Sequence, residues 1–224
     1  MELYHGSDRI VRIPVIGKGN PGNDYGLGFY CTLQIEMAKE WACAEERNGF
    51  ANRYQLGTDG LACLYLNSKR YHILNWLAIL LENRNVDLSS PIAVRARKYI
   101  LDNFLPDYKD YDLIVGYRAD DSYFSFSRAF LSNSITLEQL SRAMRLGKLG
   151  EQIVLRSAAA FDAINFNGAR PADASVYYAR RQARDREARN AFREMLTEAP
   201  VENEVFASTI IKENWTNENP RLYY

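Results

Sequence analysis

The sequence predicts an α+β fold, a strand-rich body with helices set between pairs of strands. Three observations predict it. Strand-like runs recur at 61–66, at 112–117, which is short, apolar and rich in β-branched residues, and at 151–157. Between them, 34–47, 75–83, 92–104 and 136–146 carry helical spacing. From Pro171 the composition turns polar and arginine-rich, which divides the chain into a domain at 1–170 and a helical extension with a tail at 171–224.

Glu2-Leu3-Tyr4 reads as a short strand ending at His5-Gly6-Ser7. Residues 9–16 alternate loosely, and Pro14 limits any strand there to an edge. After a Gly-rich loop, Gly26 and Gly28 lead into Phe29-Tyr30, an apparent short strand. A helix follows over 34–47, with Thr32 as N-cap and Ile35, Ala38, Trp41 and Ala42 on one stripe; Asn48-Gly49 ends it. Residues 54–56 and 61–66 read as a hairpin around Gly57-Thr58-Asp59-Gly60. Asn75 to Asn83 is a buried helix, preceded by a structural His72, and 92–104 is a second helix. The run 112–117 is a buried strand. Residues 122–131 are aromatic and ambiguous, and Thr136-Leu137-Glu138-Gln139 is a capping box. Glu151 opens a Gly-bounded strand, and 157–166 is a short helix or turn. Residues 175–196 form a long helix with six arginines, either a solvated extension or a surface for phosphate or a partner, beyond which 205–211 has a segment able to dock.

Composition narrows the function classes. Hydrophobic residues make up 47% and charged residues 25%, enough to build a sizeable core. Net charge is zero, so no global field draws the chain to nucleic acid or membrane. Cys31, Cys43 and Cys63 fit neither a zinc spacing nor a disulfide framework, which points to a reducing, cytoplasmic compartment. No signal peptide and no apolar run of about 18 residues is visible. Only His5 and His72 are available, so no metal site is expected.

The chemistry-bearing candidates fall in three places. His5 beside Gly6 puts an imidazole next to open backbone groups, a site for an amide and a hydroxyl or else a turn histidine. Tyr30 and Trp41, eleven positions apart, either hold a flat ligand or pack the core. Asp120 and Asp121 leave a buried strand where ligand-contacting loops emerge, or else form a capped turn before the next helix, and Glu151 and Gln152 point to opposite faces of a late strand.

In order, Tyr4-His5-Gly6-Ser7, Gly26-Leu27-Gly28-Phe29-Tyr30, Trp41 and Glu151/Gln152 resemble the ADP-ribosyltransferase superfamily, in the branch built on a histidine, a tyrosine and a late glutamate. Within it the chain is most similar to a bacterial family labelled only as a domain of unknown function. That family pairs Leu-Tyr-His-Gly-Ser, Gly-Phe-Tyr-x-Thr, a strand ending Ala-Asp-Asp and a late Gln-Ile/Val strand. The resemblance spans 2–166. It implies a split β-sheet core with flanking helices, and NAD as substrate. His5 would bond the nicotinamide-side ribose, and the Gly6 backbone would pair with the carboxamide. Ser7 and Gly28 belong to the same motifs, and Tyr30 and Trp41 would stack on the two ring faces. Glu151 or Gln152 would serve as the late acceptor. If Gln152 faces the cleft, Asp120 or Asp121 would supply the missing charge. Ala38 departs from the branch, which often has a serine there. The implied activity is mono-ADP-ribosyl transfer to a protein or nucleic acid by a bacterial toxin or effector. A neutralising antitoxin protein would dock at 175–196. The alternatives are a catalytically weak module that binds NAD or a nucleotide, and an unrelated α+β domain in which these aromatics are core.

Overall fold

In the computed structural model the chain is described over residues 1–119, 121–146, 150–198 and 204–223, with the backbone alone at 121–123. It runs β1 (Glu2–Ser7), β2 (Phe29–Cys31), α1 (Ile35–Ala42), β3 (Gly49–Leu56), β4 (Cys63–Tyr65), α2 (Ile73–Asn83), α3 (Pro91–Phe104) and β5 (Leu113–Tyr117). Then come α4 (Asp121–Leu131), α5 (Leu137–Ala143), β6 (Glu151–Leu155), α6 (Ala158–Asp162), β7 (Ile164–Ala172), α7 (Ala174–Met195) and α8 (Ala207–Lys212). The class is α+β, as expected. The strands form two sheets, ordered β1-β3-β7 and β2-β6-β5-β4, antiparallel throughout except for the parallel β4–β5 pair. Paired backbone bonds between Tyr4 and Thr32, at 2.8 and 2.9 Å, tie the edge of one sheet to the edge of the other.

Two local expectations fail for non-local reasons. Residues 54–66 are not a hairpin: β3 pairs with β1 and β7, while β4 joins the other sheet beside β5. The glycines make the turn, with Gly60 at φ +79°, but turn chemistry does not choose strand partners. The helix expected over 34–47 stops at Ala42, because β3 begins directly against it: a Cβ on Gly49 would lie 2.2 Å from the Ala42 carbonyl oxygen. Thr32 bonds the Gln34 N–H without capping the helix, residues 9–16 form no strand, and the ambiguous 122–131 lies in α4.

The main core gathers α2, α3 and α4 around Trp76, Phe104, Phe126 and Phe130. The C-terminal part of the chain feeds the same core through Phe192, Met195, Val205, Ile210, Trp215 and Leu222. The helix α7 is exposed along much of its length and leans on α1 near its start. There Arg180 pairs with Glu36 at 3.0 Å, and Arg184 reaches the buried Glu40 at 2.6 Å.

His72 sits at the start of α2, as a structural residue. Its Nε2 lies 3.0 Å from Asn217 Oδ1, and its ring meets Phe104 and Tyr223 edge-on. Burial lowers its pKa from 6.5 to about 4. Between those values the unfolded chain is protonated and the folded chain is not, so stability rises with pH through the window and is lost on acidification. The gap is worth at most about 3 kcal/mol. His72→Phe should therefore flatten the dependence of the melting temperature on pH between 6.5 and 4. An unchanged slope would show that this ring does not titrate as its setting requires.

Candidate functional site

A cleft of about 250 Å³ opens where the two sheets meet, walled by His5, Gly6, Asn23, Asp24, Tyr30, Trp41, Arg84, Arg118, Ala119, Gln152 and Arg181. That volume lies just under the usual range for small-molecule sites. Each sheet delivers part of the wall. The strand β1 brings His5 and Gly6, β2 brings Tyr30, and β6 brings Gln152. Trp41 comes from the last turn of α1, which rides directly on β1: the Gly6 position leaves only 2.0 Å between a built Cβ and the Ala38 carbonyl oxygen.

The hydrogen bonds fix what these groups present. His5 Nδ1 lies 2.7 Å from the Tyr30 carbonyl oxygen. A carbonyl only accepts, so Nδ1 carries the proton and Nε2 is left as an acceptor. Burial lowers the His5 pKa, against the pull of that same bond, which favours this neutral form. The ring packs on Phe29, 4.3 Å between centroids. The Tyr30 hydroxyl donates to the Gly26 carbonyl at 2.6 Å and accepts from the Tyr25 N–H at 3.1 Å, so the ring is locked to its own turn. Burial drives its pKa up, and it stays a phenol.

Gln152 is 3% exposed and Glu151 faces solvent, where Asn67 bonds it. Alternation along β6, with Gln152 opposite Gly116, decides which of the two enters the cleft. Gln152 Nε2 donates to Asp24 Oδ2 at 2.7 Å and to the Tyr117 carbonyl at 3.3 Å. Both partners are acceptors, so the amide has one orientation, and Oε1 is the atom left for a ligand.

Asp24 is the charged group behind that amide. It is 4% exposed, accepts from the Ala119 N–H at 2.9 Å, and lies 2.8 Å from Arg84. Burial raises its pKa; Arg84, the Ala119 N–H and Gln152 pull the other way. Arg118 stacks on Trp41, guanidinium carbon 3.6 Å from the ring centroid, and the buried Trp41 Nε1 has no hydrogen-bond partner among the described residues. A cation–π contact of this kind is worth about 0.5–2 kcal/mol, small enough for a bound ring to displace.

A family model described as "Protein of unknown function (DUF3990)" matches residues 1–166. The chain belongs to that family. No curated protein and no solved structure matches it. The DUF3990 region holds ten of the eleven residues that wall the cleft; the eleventh, Arg181, lies past its end.

Of the residues singled out in the sequence, His5, Gly6, Tyr30, Trp41 and Gln152 converge on the cleft. Ser7, Gly28 and Glu151 do not line it. The Ser7 hydroxyl turns to the Arg9 carbonyl at 2.5 Å. Gly28 serves packing, since a Cβ there would come within 2.5 Å of Val154 on β6. Asp120 and the side chain of Asp121 lie outside the described residues. Asp24, Arg84 and Arg118 were not singled out in the sequence, although Asp24 directly precedes the Tyr25-Gly26 turn, and Arg181 stood out only as one of six arginines on a helix open to phosphate or a partner. Among the described residues no helix is long and apolar enough to cross a membrane.

Proposed function

We propose that this DUF3990 protein is a mono-ADP-ribosyltransferase that takes NAD as substrate and modifies a protein or nucleic acid. One observation carries the reading. Five residues chosen by motif from distant parts of the chain, His5, Gly6, Tyr30, Trp41 and Gln152, wall one cleft. In this reading Tyr30 and Trp41 bind the nicotinamide ring, Trp41 once Arg118 has moved aside. His5 Nε2 accepts from a ribose hydroxyl, and Gln152 Oε1 accepts from the 2′-hydroxyl beside the reacting carbon. The bond from the anomeric carbon to the pyridinium nitrogen breaks, and its electron pair neutralises the departing nicotinamide. The acceptor's nucleophile bonds to that carbon and gives up a proton. Asp24, through Gln152, places negative charge behind the oxocarbenium-like centre, the part the resemblance would otherwise give to a glutamate. Its closeness to Arg84 tempers that field.

A second reading has its own support. An amide stands where the branch has an acid, and Ala38 stands where the branch often has a serine that bonds the carboxamide. Both favour a module that binds NAD or a nucleotide without turning it over. In either case 175–196 stays the surface offered to a neutralising protein, with Arg186 and Arg193 exposed.

Incubation of the full chain with NAD, read as nicotinamide release and as binding heat, separates the readings. Release that falls about 100-fold in Gln152→Ala supports the transferase, a loss of the size seen when one stabilising group is removed from a transition state. Binding without release supports the module. No binding of NAD at all ends both.

A further inference from the structure

The helix α7 lies beyond the family region, yet it supplies one wall of the cleft through Arg181. Its arginines differ in what they meet. Arg180 and Arg184 are spent on Glu36 and Glu40, and Arg189 on Asp185. Arg181 stands between the two that tie α7 to α1, is half-buried, and has no carboxylate partner among the described residues. The one carboxylate that lines the cleft among the described residues, Asp24, already lies 2.8 Å from Arg84. A guanidinium held at the rim of a cleft with no carboxylate on it among the described residues is suited to an anion with paired oxygens.

We infer that Arg181 is a binding residue for the phosphate portion of the ligand, and that α7 is a working wall of the site as well as an appendage to it. Naming the anion as the diphosphate of a dinucleotide rests on the transferase reading. The anion site itself does not. The two ion pairs to α1 set the reach of Arg181, and α1 also carries Trp41, so the ring-binding and anion-binding walls move as one unit.

The probe is inorganic pyrophosphate, titrated calorimetrically into the full chain, with nicotinamide as a ring-only ligand. Arg181→Ala should weaken pyrophosphate about tenfold, the scale of one lost charge-assisted hydrogen bond. It should leave nicotinamide binding and the melting temperature unchanged, since Arg181 has no carboxylate partner among the described residues to lose. Arg181→Lys should retain part of the affinity, and Arg189→Ala, which removes the same charge away from the cleft, all of it. No pyrophosphate binding by the wild type, equal binding by Arg181→Ala, or an equal loss in Arg189→Ala would each overturn the inference. Pyrophosphate binding that depends on Arg181, in a chain that neither binds nor cleaves NAD, would uphold the anion site and sink the transferase.

Discussion

Asp24→Ala is expected to destabilise the protein by about 3 kcal/mol and to lower nicotinamide release about 100-fold. The stability loss takes the low end of the range for breaking a buried ion pair, because Arg84 keeps 23% exposure and can recover some water. The loss also strips an acceptor from the Ala119 N–H and from Gln152. Without it the Gln152 amide is no longer held to one orientation, and its oxygen ceases to be a fixed acceptor. Asp24→Asn keeps the shape and an oxygen for Gln152 while removing the charge. Pairing Asp24→Ala with Arg84→Met separates the two effects by a double-mutant cycle. If Asp24 acts only as a structural partner, the double variant recovers stability and activity together. If its charge serves the reaction, stability returns and turnover does not.

Gly6→Ala should be the most damaging single methyl in the site. The added carbon would lie 2.0 Å from the Ala38 carbonyl oxygen and 2.9 Å from the Ala42 nitrogen, both backbone atoms of α1. Backbone cannot step aside by changing a rotamer, so the helix must lift from β1 and carry Trp41 with it. Overpacking of this order costs about 3 kcal/mol. Binding of nicotinamide should fall more than tenfold, while pyrophosphate binding falls less if Arg84 and Arg118 keep their places. The paired titrations, with a melting curve, check it. A variant as stable and as tight as the wild type would mean that α1 does not sit on β1 as described.

How much of this was open to a reader of the sequence varies by element. The helices α2, α3 and α5 were legible, because burial or capping leaves a local mark: eight buried residues in α2, and Thr136 with Gln139 closing a box at α5. The edge strand β7 was not. Its nine residues are mostly exposed or half-exposed and include Gly168 and Pro171, so no apolar alternation marks them. Gln152 and Glu151 could not be told apart by motif, since only the pairing of β6 with β5 sets which one turns inward. Asp24, Arg84 and Arg181 share a different obstacle. One sits in an aperiodic loop, one at a helix end and one among six arginines, and each gains its role only from a neighbour more than fifty residues away in the chain.

The strand order has a consequence for the moment of synthesis. Tyr30 lies on β2, whose partner β6 begins at Glu151, and β1 pairs with a strand that itself waits for β7 at Ile164. A nascent chain therefore carries His5 and Tyr30 without a cleft to put them in until those later strands are made, and long-range strand pairing of this kind closes slowly. The cleft takes shape only after β6 and β7 have been made, long after the segment that carries His5 and Tyr30 has emerged from the ribosome.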